Sequence, residues 1–250
     1  MTAPSGNQRS WAASLCRNWI AVFALVFGLY VSLPFAAPWL MQAGLSGPGQ
    51  AIHALYSTQC HQLPDRSFFL FGPKDSYSLA EVRANWQDTT DPARLRQFVG
   101  TPEMGWKVAW SDRMVSMYTA TLVFGLLWWP LRRRLPALPL WGLGLFLLPM
   151  GLDGVTHFLS DLAGGLTGGF RYDNAWLAAL SGGRLPDSFT TGNALGSFNS
   201  WARLLSGVFF GLGVVGFGFP HIDQALQSLA QSLAAGGRMD QPAAAWEEKR

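Results

Sequence analysis

Two apolar runs, residues 114–131 and 138–160, are separated by only six residues, Arg132-Arg133-Arg134-Leu135-Pro136-Ala137. At 1.5 Å per residue each run is long enough to cross, or nearly cross, a hydrocarbon layer about 30 Å thick. Backbone in lipid must satisfy its own hydrogen bonds, so the pair reads as a transmembrane helical hairpin. Its loop is short and tribasic, and loops of that kind stay in the cytoplasm. Everything else in the chain has to be consistent with that hairpin.

Residues 19–41 form a further span before the hairpin, with Pro34 and Pro38 kinking its far end. Residues 199–219 form another after it, and glycines at 207, 211, 213, 216 and 218 permit close helix approach. Residues 1–18 are polar and are expected to be a disordered cytoplasmic tail. In residues 220–250, Ile222, Leu226, Leu229 and Leu233 recur at helical spacing, as an amphipathic helix on the cytoplasmic leaflet requires, followed by a tail. A basic start, an apolar run and the small Ala36 and Ala37 also fit a cleaved signal peptide, but the run continues through Trp39, Leu40 and Met41. Tryptophans at 19, 39, 110, 128, 129, 141 and 201 fall near span ends, where they act as interfacial anchors.

The expected fold class is therefore an all-α integral membrane protein of the cytoplasmic membrane, with four transmembrane helices and both termini inside. Residues 42–113 and 161–198 are then outside, forming a small helical cap. Within it, a helix from Gln50 to about Leu63 is stopped by Pro64, Ser78 and Glu81 form a capping box, and Asp91-Pro92 starts a third helix. Asp173 and Gly182 bound a short helix in the second loop. Composition agrees with a bilayer as the first partner, because only 13% of the 250 residues are charged, about half the usual soluble fraction. The 18 lysines and arginines are spread along the chain, which gives nucleic-acid binding no support.

The chemistry-bearing residues lie toward the outer side. Asp153, His157 and Asp161 recur every four residues at the end of the third span and share one helix face. Ionisable groups at that depth need a protein interior, a cavity or each other. Asp153 is expected to pair with Arg203 of the fourth span, which lies at a similar depth. Cys60 and His61 stand side by side, and a thiol beside an imidazole can supply two ligands to zinc or copper. His157 and Asp153 could complete such a site if the cap folds over the third span, and His53 lies seven residues before Cys60 on the same face. The bland alternative is a packed cysteine and a histidine bonded to backbone. Cys16 and Cys60 lie on opposite sides of the first span, so they cannot form a disulfide with each other.

CHQLPDRSF (60–68), the lead-in from Arg113 to Tyr118, PMGLDGVTH (149–157) and FNSWARLLSG (198–207) occur in that order. Together they resemble a family of prokaryotic integral membrane proteins known only as a domain of unknown function with a Cys-His-Gln motif. The resemblance runs from Tyr56 to Pro220. Many members carry a Cys-x-x-Cys pair before the second span, where this chain has Ser111 and Met114. His157 stands where glutamine is usual, and the second outer loop is longer. The resemblance thus removes a thiolate-rich site and implies a harder ligand set in which Asp112 joins Cys60, His61 and His157. It supplies no activity.

No nucleophile elbow, P-loop, dinucleotide fingerprint or His-Glu-x-x-His helix occurs in the sequence. Ser111, Asp112 and Arg113 beside His157 are too common a combination to argue hydrolysis. The reading that follows is a non-enzymatic accessory, assembly or scaffold subunit of a membrane complex, whose partners are other membrane proteins. A metal-binding or redox-active Cys/His centre is the rival, and small-solute transport by an oligomer is a third.

Overall fold

The computed structural model describes residues 6–239. Helix α1 (Gly6–Arg17) leads into α2 (Trp19–Gln42), and α3 (Ser46–Tyr56) packs against the end of α2. A cap follows, built from β1 (Ser67–Leu70), α4 (Leu79–Asn85), α5 (Pro92–Leu95), β2 (Gly100–Thr101) and β3 (Gly105–Ser111). Strand β3 passes without a break into α6 (Asp112–Leu131), and α7 (Leu140–Gly168) returns toward the cap. Three short helices, α8 (Phe170–Asp173), α9 (Ala175–Leu180) and α10 (Asp187–Thr190), precede α11 (Phe198–Met239).

Among the described residues four helices are long and apolar enough to cross a membrane: α2, α6, α7 and residues 198–235 of α11. Helix α11 packs against both α6 and α7, while α2 packs against α6, which leaves α7 at the periphery. Glycine sets the α6–α11 contact. A Cβ on Gly211 would come within 2.8 Å of the Thr121 nitrogen, and one on Gly207 within 2.9 Å of the Met117 nitrogen. The two backbones could not approach so closely with larger residues there.

The cap is not purely helical. Its strands form an antiparallel sheet in the order β1-β3-β2, with Phe69 opposite Lys107 and Gly100 opposite Trp106. Phe69, Tyr77, Leu79, Val82, Leu95 and Phe98 fill its core, joined by Leu166 from the far end of α7. The alternation of Trp106, Val108 and Trp110 carries the strand signal, in a stretch expected to belong to a helical cap. The local helix signals hold. Ser78 and Glu81 make a reciprocal capping box, and the Asp91 carboxylate accepts from the Ala93 N–H at 2.9 Å.

Four boundaries differ from expectation. Helix α3 runs from Ser46 to Tyr56 rather than from Gln50 to Leu63, and the left-handed Gln62 (φ 52°) bars any continuation of it to Leu63. The segment expected to be a disordered tail contains α1, which packs along α11 and buries Ala13. The amphipathic stretch after Pro220 is continuous with the fourth long helix, and its Leu226 packs on the Trp19, Trp128 and Phe219 cluster. Ile222 and Leu229 remain exposed on the same stretch. Helix α7 also runs on to Gly168, with a break at Gly165 (φ 69°).

Candidate functional site

The Cys-His-Gln motif is a structural knot tied around Gln62. The Gln62 side-chain amide donates to the carbonyls of His53 (2.9 Å) and Ala109 (3.0 Å), joining α3 to β3. Its backbone N–H donates to Cys60 Sγ at 3.3 Å, and its carbonyl accepts from Lys107 Nζ at 2.8 Å. Lys107 is fully buried, and burial pushes its ammonium down to about 7. His53 is lowered to about 4, by burial first and by the neighbouring Lys107 charge second. Its Nδ1 lies 3.4 Å from Gln62 Oε1, a contact that requires the proton on Nδ1.

Around the cap ends of the long helices, Asp65, Asp112, Asp153 and Asp161 face Arg66, Arg113, Arg171 and Arg203. The expected pairing of Asp153 with Arg203 does not occur. Arg203 forks onto Asp112, with Nε to Oδ1 at 2.7 Å and Nη2 to Oδ2 at 2.8 Å. Asn193 takes its third nitrogen at 3.1 Å and donates in turn to Asp65 at 3.0 Å. Asp153 is held by Arg113 at 2.6 Å and by Arg171 at 2.7 Å. The depth argument for Asp153 and Arg203 overlooked nearer guanidiniums, one at the start of α6 and one on α8. Asp112, expected as a weaker metal ligand, is saturated by Arg203, Ser200 Oγ (3.2 Å) and the Arg113 N–H.

Between the cap and these helices lies a cavity of about 600 Å³. Cys60, His61 and Arg66 line it from the cap, and Arg113, His157 and Asp161 from α6 and α7. The three leading metal candidates thus border one space, but they do not converge. Among the described residues no three His, Cys, Asp or Glu side chains stand close enough together to hold a metal. Cys60 Sγ is 3.4 Å from Ser111 Oγ, and His61 is exposed at the lip. His53 lines a separate hollow with Arg96.

His157 is the best-oriented ionisable group on the wall. Its Nδ1 lies 3.3 Å from Asp153 Oδ1 and 3.1 Å from the Asp153 carbonyl, while its Nε2 is buried with no partner among the described residues. A carboxylate on Nδ1 leaves Nε2 as the nitrogen offered to a visitor. Arg66 Nε and Arg113 Nε are likewise buried and unpartnered.

Sequence reading missed Gln62, Lys107, Arg171 and Asn193 as site-forming residues. Lys107 had a usable signal, a lone lysine inside an alternating apolar strand. Arg171 and Asn193 sit in glycine-rich loops without periodicity, where nothing local marks a residue as buried. No family model matches this chain, and no curated protein or solved structure matches it.

Proposed function

We propose that this chain is a non-enzymatic accessory or scaffold subunit of a larger membrane complex, with the arginine loop and both termini in the cytoplasm and the cap outside. The observation that carries this reading is a continuous set of polar ties: Arg113–Asp153 and Arg203–Asp112 hold α6 to α7 and α11, while Arg66–Asp161 and the Asn193–Asp65 hydrogen bond fasten the cap to α7 and to the loop before α11. A rigid platform loses little conformational freedom on docking, which favours assembly. Peripheral α7 is the surface it offers. Leu145, Leu148, Leu152 and Leu159 are exposed on it, and Gly144 and Gly151 have open space where a side chain would stand. Small residues on an open apolar face admit the close approach of another helix in the bilayer. The proposal includes membership of the unknown-function family that the sequence resembles, with Gln62 rather than Cys60 as the centre of the shared motif.

Extraction in mild detergent, followed by mass measurement of the native particle, tests it. The expected particle is larger than one chain and falls to a single chain when Gly144→Phe and Gly151→Phe are combined. A single-chain particle from native membranes would refute the reading. A second reading, a metal or redox centre, is supported by Cys60, His61 and His157 bordering one cavity. It predicts stoichiometric zinc or copper that is lowered by Cys60→Ser.

A further inference from the structure

We infer that the cavity beneath the cap binds the anionic head of an amphiphile drawn from the surrounding membrane. The cavity opens at the cap end of α7, and the inference does not rest on a partner docking there. A space of about 600 Å³ is the size of a ligand pocket, well beyond a packing defect. Arg66 and Arg113 line it, and the hydrogen bonds they give to their carboxylates leave from Nη2, so Nη1 of each has no partner among the described residues. A guanidinium nitrogen can only donate, so the wall asks for an acceptor. The wall's own carboxylate, Asp161, is already taken by Arg66 at 3.0 and 3.2 Å. Asp153, behind His157, is taken by Arg113 and Arg171. A phosphate or carboxylate entering this space would meet donors on two sides.

The amphiphilic character follows from where the cavity opens. Phe158 lines it and is also 66% exposed, on the apolar face of α7 that carries Val155, Leu159 and Leu162. Next to it Gly154 has no side chain, and a Cβ there would lie 3.3 Å from Arg113 Nη1. The rim therefore gives passage from the apolar helix face to the guanidinium. Counting from Leu140, His157 lies about 26 Å along α7, close to the far edge of a hydrocarbon layer about 30 Å thick. That is the depth of a lipid head, with its acyl chains directed back along Phe158 and Val155.

Purified full-length protein in a neutral detergent provides the test, with melting temperature read as phosphatidylglycerol, phosphatidylcholine or inorganic phosphate is added. Phosphatidylglycerol is expected to raise Tm by about 5 °C or more, and the other two by less than a third of that. An equal shift with phosphatidylcholine would overturn the anionic head, and an equal shift with phosphate would overturn the amphiphile. His61→Glu locates the site, because His61 is exposed at the lip and the change brings a like charge to it without touching the core. Its melting temperature without lipid should match wild type, and its phosphatidylglycerol shift should fall at least threefold. An undiminished shift in that variant would place the lipid elsewhere and end the proposal.

Discussion

The two ends of the helix bundle are held by opposite kinds of chemistry. At the arginine-loop end, Trp19, Phe23, Trp128 and Phe219 meet edge to face and tilted, with ring centroids 5.0 to 6.4 Å apart, and one hydrogen bond from Trp19 to Asp223 at 2.9 Å. At the cap end, Asp112, Asp153, Arg203 and His157 are buried and bonded to named partners. Aromatic packing tolerates small shifts, because it is mostly area removed from water with weak angular preference. Buried ion pairs do not, since a displaced partner leaves a charge that nothing solvates. The cap end therefore specifies how the helices sit, and the loop end closes around whatever results.

The sharpest way to break this contrast is Arg203→Leu. It strands Asp112 and Asn193 in a dry site, and it should cost about 3 to 5 kcal/mol in detergent unfolding. Adding Asp112→Leu should recover part of that loss, because the uncompensated carboxylate goes with it. A single variant no worse than a conservative change in the aromatic cluster would show the two ends to be alike.

Acid should separate the ends next. The His53 pKa is lower in the folded cap than the ordinary 6.5, so the unfolded chain binds the extra proton between pH 6.5 and about 4. The His53 contribution is then full above pH 6.5, falls by about 3 kcal/mol as pH drops toward 4, and levels off below. Lys107 gives the same sign higher up, with stability rising from about pH 7 to 10.5. Unfolding followed against pH should lose the lower slope in His53→Phe, and a slope unchanged in that variant would remove His53 as its source.

Smaller effects belong to the loop end. Phe219→Leu keeps the aromatic cluster apolar and should cost about 1 kcal/mol, read from the same unfolding curves. Asp223→Ala removes the Trp19 hydrogen bond and a long Arg132 contact of 3.9 Å, and should cost about 0.5 to 1 kcal/mol. Losses there rivalling that of Arg203→Leu would reverse the ranking of the two ends.

How far the sequence could be read follows the same division. Spans, caps and close-packed glycines are local or periodic, so Ser78, Asp91, Gly207 and Gly211 could be interpreted from their neighbours. The partners of Asp153 could not be identified that way. Arg113 is 40 residues away and Arg171 is 18 away, in different elements. Choosing among several guanidiniums at one depth requires the fold itself. The Cys-His-Gln motif misled for a related reason, because its two metal-like residues drew attention from Gln62, whose four bonds depend on a left-handed backbone that no spacing rule reveals.

The contribution of Leu166 to the cap core, and of Asn193 to Asp65, has a consequence for biosynthesis. Residues 46–111 leave the ribosome early, yet the cap they form is unfinished until the chain has passed through α6 and α7 and made the loop before α11. Until then its core lacks one wall and Asp65 lacks its partner. A nascent chain halted after α6 would expose that open core to proteolysis. Completion of the cap is thus a late event that records whether the preceding helices have been placed.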